Sequence, residues 1–345
     1  MNRRPGIRIG LIGCGTIAYW QHLRNLKRMN DVVVAGLADP CPEALARASR
    51  LVEAPGFPSA DELLSMDRLD AVVIASPAGL HAEHVAKACA AGKHVYVEKP
   101  LAHDAASLAA VHACAASSAQ ALAVGYNLRF HPACRRLRDL VRAGRVGEVH
   151  AVISHFTEWL DFAATPEWRR TRRPGGGVLL DLSTHHVDLY RWLLQDELAE
   201  VAVATRTRRF EQDCASVRGT TRGGVDLHGY FAQDASRAHG IAVHGTTGVL
   251  QLDLHSGRFA LQRNRRLGYG VRTRPVRPDA SCLSWRGRKC VQPSYDPSHR
   301  EALRAFVHAV AEPHQRHPDL ATFDDGAASL QAIFEAEHKP RADPV

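Results

Sequence analysis

No run in this sequence of 345 residues is apolar for long enough to span a bilayer, which takes about 20 apolar residues in a helix. The N-terminal MNRRPGIRIG is basic but passes straight into a short strand-like run. It has no apolar core and no cleavage site of the kind a secretory leader carries. Both absences give the expectation of a cytoplasmic protein with no membrane partner. No internal repeat and no low-complexity linker interrupts the chain. The eight cysteines, Cys14, Cys41, Cys89, Cys114, Cys134, Cys214, Cys282 and Cys290, include no CxxC pair. A zinc site or redox motif is therefore not expected, and no metal is assigned. The cysteines read as buried free thiols.

What is present is ordinary for a globular protein. Hydrophobic residues make up 45% and charged residues 23%, enough for an ample core. The length exceeds what one core usually serves, so two domains are expected. The formal net charge is +8. Much of the excess lies between Arg263 and Lys289, where Arg263, Arg265, Arg266, Arg272, Arg274, Arg277, Arg286, Arg288 and Lys289 face one acid, Asp279. Such a stretch can attract an anionic substrate or nucleic acid. No aromatic platform interleaves the charges, so it reads as a solvated surface loop and not as a nucleic-acid site. With 20 histidines in the chain, one histidine by itself indicates nothing.

The first third carries a sharper pattern. Arg8-Ile9-Gly10-Leu11-Ile12 is a short apolar run, followed at once by Gly13-Cys14-Gly15-Thr16-Ile17-Ala18. Ile17, Trp20, Leu23 and Leu26 then recur at helical spacing. A glycine turn between strand and helix lets the backbone approach a pyrophosphate at the helix N-terminus. A second buried strand, Val32 to Ala38, ends at Asp39. A carboxylate there can accept hydrogen bonds from adenosine ribose hydroxyls and repels a 2′-phosphate. No arginine follows immediately, so NAD is expected over NADP. The competing reading of Asp39 is a cap for the helix that Pro40 and Pro42 begin. Strands then alternate with helices: strands at Ala71–Ala75, His94–Val97 and Ala121–Val124, and helices at Pro42–Val52, Gly79–Ala91 and Ala105–Ala116. That alternation predicts a doubly wound parallel sheet. Gly13, Asp39, Ser76, His81 and Lys99 fall at or just after strand ends, where such sheets bind ligands.

The segments IGLIGCGTIA (9–18), LADP (37–40), ASPAGLHAEH (75–84), AGKHVYVEKPLA (91–102), GYNLRFHP (125–132), GGGVLLDLSTHHVD (175–188) and DDGAASLQAI (324–333) together resemble the Gfo/Idh/MocA family of glucose-fructose oxidoreductase and inositol dehydrogenase. They span nearly the whole chain in the family's order, and the EKP tripeptide and the GGG-to-histidine segment are the most specific. The resemblance implies a Rossmann domain, placed at residues 1–124, and a substrate-binding and oligomerisation domain with an open antiparallel sheet, placed at residues 125–345. It implies NAD(P)-dependent chemistry on sugars, amino sugars or cyclitols, and a homodimer or homotetramer. The expected cofactor contacts are Gly13, Gly15, Thr16, Ile17, Asp39, Ser76, Pro77, His81, Glu98 and Lys99. The family pattern also suggests that Asn127, Arg129, Trp168 and Arg169 border the substrate. Ser183 stands where relatives usually carry glycine.

Read by itself, the second part shows strand-like runs at Gly147–Phe156, Val201–Thr207, Val225–Phe231, Gly240–His244 and Val249–Leu254. Glycine turns separate several of them and crossover helices are not evident, so an antiparallel sheet is expected. Ser298–Ala311 and Gly326–Glu337 read as helices, and these C-terminal helices can pack back on the Rossmann domain. After Gly175 to Gly177 a helix should begin near Val178. At about 100° per residue, Asp181 and His185 lie about 40° apart around its axis, whereas His186 points about 140° away from Asp181. An alcohol dehydrogenase needs a proton acceptor, a hydride acceptor and a stabiliser of the alkoxide. A neutral imidazole suits the first near neutral pH, so His185 is assigned as general base. Asp181 would orient it, and Lys99 would stabilise charge on the substrate oxygen. The competing readings are a glycosidase that keeps NAD bound and uses transient oxidation, and a non-catalytic NAD-binding regulator.

Overall fold

The computed structural model describes residues 6–161, 163–264, 271–292 and 295–339. Arg265 and Arg266 of the basic stretch lie outside the described residues. The chain divides into two compact units. One comprises Met1–Asn127, Arg173–Gly175 and Ser298–Leu330, and the other Leu128–Arg172, Gly176–Pro297 and Gln331–Val345.

In the first unit, strands β1 (Ile7–Ile12), β2 (Val32–Ala38), β3 (Gly56–Phe57), β4 (Ala71–Ile74), β5 (His94–Val97) and β6 (Leu122–Val124) form a parallel sheet in the order β3-β2-β1-β4-β5-β6. Every residue of Ala71–Ile74 is buried, as are Val95, Tyr96 and Val97. Such unbroken apolar runs suit strands covered on both faces. The strand order reverses between β1 and β4, and ligands of doubly wound sheets bind beyond the carboxyl ends at that point. The helix Pro42–Val52 opens with proline in its first turn, where the missing N–H costs nothing. The helix Ser298–Ala311 buries Leu303 and Phe306 in this unit, with the Phe306 ring 5.6 Å from that of Tyr96.

The second unit is an eight-stranded sheet. Its strands are β7 (Val149–Trp159), β8 (Leu198–Arg206), β9 (Cys214–Thr221), β10 (Asp226–Ala232), β11 (Asp234–Gly245), β12 (Gly248–Asp253), β13 (Arg258–Asn264) and β14 (Val271–Pro275). The order is β14-β13-β12-β11-β7-β10-β9-β8. All pairs are antiparallel except β7 with β10. Those two are linked through helices at Glu167–Arg170 and Thr184–Leu194 and two further strands, so no hairpin forces them to oppose each other. Burial alternates along β10, as expected for a sheet with one packed and one open face. Leu137, Leu140, Leu189, Leu193 and Trp285, from three helices, share a core with Leu250, Leu252 and Leu261 of the sheet.

Two expectations change. The described residues of the basic stretch are not one loop: they supply the end of β13, all of β14 and most of the helix Ala280–Val291. That helix is capped by Asp279, whose carboxylate accepts from the Cys282 amide at 2.8 Å. The cysteines are free, but Cys41 and Cys290 are exposed, not buried. Among the described residues no helix is long and apolar enough to cross a membrane, and no cluster of ligating side chains could hold a metal ion.

Candidate active site

The glycine turn after β1 contains two glycines with different duties. Gly13 has φ +92°, and a Cβ there would lie 2.6 Å from the Ser76 amide nitrogen and 2.7 Å from the Ala75 carbonyl carbon. Both the left-handed backbone and the neighbouring chain demand glycine. A Cβ on Gly15 would meet nothing within 4 Å. The protein itself leaves this position open, so the space in front of it suits the close approach of a pyrophosphate. Thr16 and Ile17 begin the helix, which continues through a wider π-type turn, Ala18–Leu23, into Arg24–Leu26.

Asp39 follows β2 and turns its carboxylate back on this turn. Its Oδ2 accepts from the Cys14 amide at 2.6 Å and its Oδ1 from the Cys41 amide at 2.8 Å. A carboxylate has about four acceptor sites, so capacity remains for ribose hydroxyls. The residues present fit a dinucleotide. Burial, then the Asp39 charge, push the Cys14 thiol up to about 12, which leaves it inert. Sequence adjacency overlooked Arg47. From the helix Pro42–Val52 its guanidinium comes within 3.5 Å of the Cys14 carbonyl and lies over the Tyr19 ring at 4.7 Å.

The other expected cofactor residues of this unit are placed as follows. Ser76 and Pro77 follow β4, with Ser76 Oγ 2.9 Å from His84 Nδ1. His81 is buried, with Nδ1 2.7 Å from the Pro100 carbonyl and Nε2 2.9 Å from the Ser76 carbonyl. It ties the end of β4 to the segment after β5. Burial lowers its pKa, against the two carbonyls that favour its charged form. Glu98 is buried and meets His22 Nε2 at 2.8 Å, bracing the glycine-turn helix against the end of β5. Burial would raise its carboxyl, but the His22 bond and the charges of His22, His299 and Lys99 outweigh that and hold it at about 2. Lys99 is partly exposed. Asn127 is buried and donates from Nδ2 to Ser298 Oγ at 2.8 Å, with His299 Nε2 at 3.2 Å. His22, Ser298 and His299 carried no signal in the sequence, because their partners lie far along the chain.

In the second unit the glycine run shapes a different feature. A Cβ on Gly176 would lie 2.4 Å from the Thr171 carbonyl oxygen and 2.6 Å from those of Arg169 and Trp168. Only glycine lets this loop pass so closely. The loop aims Arg169 at Asp181: Nε donates to Oδ2 at 2.7 Å, and Nη2 donates to Glu158 Oε1 at 2.9 Å. Gln233 Nε2 also donates to Asp181 Oδ2 at 2.7 Å. Burial works against the Arg169 charge, but Asp181 and Glu158 prevail and its pKa is raised. Trp168 beside it is exposed. Glu158 and Gln233 were not anticipated. Arg129 is buried and forms a bidentate pair with Asp188, Nε to Oδ2 at 2.8 Å and Nη2 to Oδ1 at 2.5 Å.

The helix bearing the two histidines starts with a π-type turn, Leu179–Ser183, before the α-helix Thr184–Leu194. Asp181 sits in the wider turn, so the even step of about 100° does not apply between it and His185. The two histidines nevertheless differ sharply. His185 is partly exposed. His186 is fully buried, its Nε2 2.9 Å from His239 Nε2, and burial lowers its pKa to about 3. Lys99 belongs to the first unit and Asp181 and His185 to the second.

The parallel sheet with its open glycine turn and strand-end carboxylate defines a dinucleotide-binding class. The sequence profile of an oxidoreductase family with an NAD-binding Rossmann fold, GFO/IDH/MocA, matches residues 7–126, and that of the GFO/IDH/MocA C-terminal domain matches residues 134–251. The chain belongs to this family. It is 30% identical over 263 residues to a dTDP-3,4-didehydro-2,6-dideoxy-alpha-D-glucose 3-reductase of Actinomadura kijaniata, covering 73% of this chain and 76% of that protein. It is 38% identical over 205 residues to inositol 2-dehydrogenase of Acidothermus cellulolyticus, covering 58% of this chain and 57% of that protein. The chain thus matches little more than half the length of the latter. Levoglucosan dehydrogenase in complex with NADH superposes with a TM-score of 0.81 at 21% identity, covering 96% of each chain. A 3-ketoreductase from Actinomadura kijaniata in complex with NADP and TDP-benzene gives 0.78 at 23% identity, again over 96% of each. These two likenesses establish the fold.

Proposed function

We propose that this oxidoreductase interconverts a secondary alcohol and a ketone on a sugar, amino sugar or cyclitol, with NAD as the preferred cofactor. Relatives that act on inositol and on deoxy sugars support the substrate class. One observation carries the reading of the chemistry. Of two adjacent histidines on one helix, His186 is sealed in the core as a neutral ring and His185 is partly exposed.

In this reading His185 takes the hydroxyl proton during oxidation and returns it during reduction. Lys99 holds the substrate oxygen and favours its anionic form. Asp181, itself fixed by Arg169 and Gln233, orients the His185 ring. Arg169 and Trp168 contribute to substrate contact. Gly13, Gly15, Thr16 and Asp39 hold the cofactor, which when bound supplies the hydride acceptor or donor. Asp39 disfavours a 2′-phosphate, while Arg47 works in the opposite direction. The exposed sheet face around Ile153 and Tyr230 is the surface on which a homodimer or homotetramer would form.

A screen of free sugars, inositols, amino sugars and sugar phosphates with NAD and with NADP, followed by nicotinamide absorbance, tests the proposal. Net reduced cofactor with at least one polyol supports it. Product release from glycosides without net cofactor reduction would move the protein to the glycosidase reading.

A further inference from the structure

The hairpin β13–β14 has an unusual register. Arg263 stands directly opposite Arg272, and Leu261 opposite Arg274. Residues two apart share a face, so Arg263, Arg272 and Arg274 stand on the face that carries Leu261. Leu261 belongs to the core beneath the helix Pro132–Arg142. Arg136 from that helix, Arg145 just after it and Arg277 just after β14 complete the walls of a cleft of about 1100 Å³, floored by Leu140, Leu261 and Val276.

The pairing of like charges in this hairpin works against the fold. Like charges directly opposite each other destabilise a hairpin. Arg263 donates to the Arg145 carbonyl at 3.0 Å. Arg136 Nε is buried without a hydrogen bond, 3.8 Å from Asp279, whose carboxylate already caps a helix. Among the described residues no carboxylate pairs with Arg145, Arg263, Arg272, Arg274 or Arg277. Charge on β14 alone would serve to protect an edge strand. It would not require Arg136 and Arg145 to be brought into the same concavity from outside the sheet.

We propose that this cleft is a binding site for a small anion carrying a diphosphate group. Guanidinium forks match phosphate oxygens in pairs, and a concave site with an apolar floor and a few convergent charges is the form small-molecule sites take. Among the described residues the lining contains no aromatic side chain on which bases of a nucleic acid strand could stack. The cleft lies wholly within the second unit and uses none of Lys99, Asp181 or His185, so it stands independently of the proposed reaction.

Titration calorimetry on the full chain, with cofactor saturating and ionic strength constant, tests it with inorganic pyrophosphate, inorganic phosphate and ADP. Pyrophosphate should bind once per chain and at least about tenfold more tightly than phosphate, since one further charged hydrogen bond is worth roughly that much. Arg272→Ser with Arg274→Ser, both exposed positions, should weaken it roughly a hundredfold. Arg206→Ser with Arg218→Ser removes the same charge from exposed positions on β8 and β9, at the other end of the sheet order, and should leave it unchanged. ADP binding more tightly than pyrophosphate would identify a nucleotide as the source of the diphosphate, and equal affinity the bare polyphosphate. Absence of saturable binding, or equal weakening by both variant pairs, would overturn the site. So would an oligonucleotide that requires Arg272 and Arg274 and is not displaced by ADP.

Discussion

Acidification should destabilise the second unit through a pair of histidines that cannot accept protons where they sit. His186 and His239 are both buried and share a contact of 2.9 Å between their Nε2 atoms. In that contact one ring donates and the other accepts, so a proton added at the accepting Nε2 would set two N–H groups against each other. The surroundings are apolar: the His239 ring stacks on Phe156 with centroids 4.0 Å apart, and Phe231 lies 5.3 Å from His186. Burial holds His186 at about 3. Burial and then the neighbouring His186, His185, His255 and His131 hold His239 well below its ordinary value. In the unfolded chain both titrate near 6.5. The folded values are depressed, so below about pH 6.5 the unfolded state binds more protons and stability falls as pH falls. At about pH 5.5 each histidine removes about 1.4 kcal/mol relative to neutral pH, and the pair about 3 kcal/mol. Against a typical stability of about 5–15 kcal/mol that is a large loss. Urea unfolding followed by tryptophan fluorescence reads it, because Trp159, Trp168, Trp192 and Trp285 all lie in this unit. The midpoint should drop between about pH 7.5 and 5.5, and His186→Leu with His239→Leu should flatten the slope by the pair's share. A midpoint that does not move, or a double variant with the parental slope, would refute the reasoning.

Four further outcomes are expected. His185→Ala should lower kcat by roughly a hundredfold to ten-thousandfold with little change in melting temperature. His186→Ala should instead cost about 2–4 kcal/mol of stability through the cavity it leaves and retain kcat per folded molecule; the reverse pattern in kinetics and melting would exchange the two roles. Lys99→Ala should lower kcat at least as much as His185→Ala, with cofactor affinity measured separately by fluorescence quenching. Gly15→Ala should fold normally and weaken cofactor binding, whereas Gly13→Ala should fail to fold or melt much earlier, since its Cβ would collide with backbone; equal melting temperatures would contradict this. Asp39→Ser should shift the ratio of dissociation constants toward NADP, the more so because Arg47 is already beside the turn.

Local pattern determined much of this protein without any structure. Buried parallel strands are continuous apolar runs, so β1, β2, β4 and β5 could be read from composition alone. The Gly13–Ala18 turn and Asp39 followed from their places at strand ends, and the helix Ser298–Ala311 was bounded correctly because its apolar residues recur at helical spacing. Elements whose residues alternate poorly were not legible: β9 is CASVRGTT, and β14 and the helix Ala280–Val291 are rich in arginine. Only the tertiary structure set β10 parallel to β7, brought Glu158 and Gln233 to the Arg169–Asp181 pair, and placed His22 on Glu98. Those partners are separated by many residues, and no local periodicity records which distant segments pair. The two histidines mark the boundary most clearly. A regular helical step separates His185 from His186, but the helix departs from that step at Asp181. What distinguishes the rings is that one packs against His239 and Phe231, two residues supplied by strands remote in the chain.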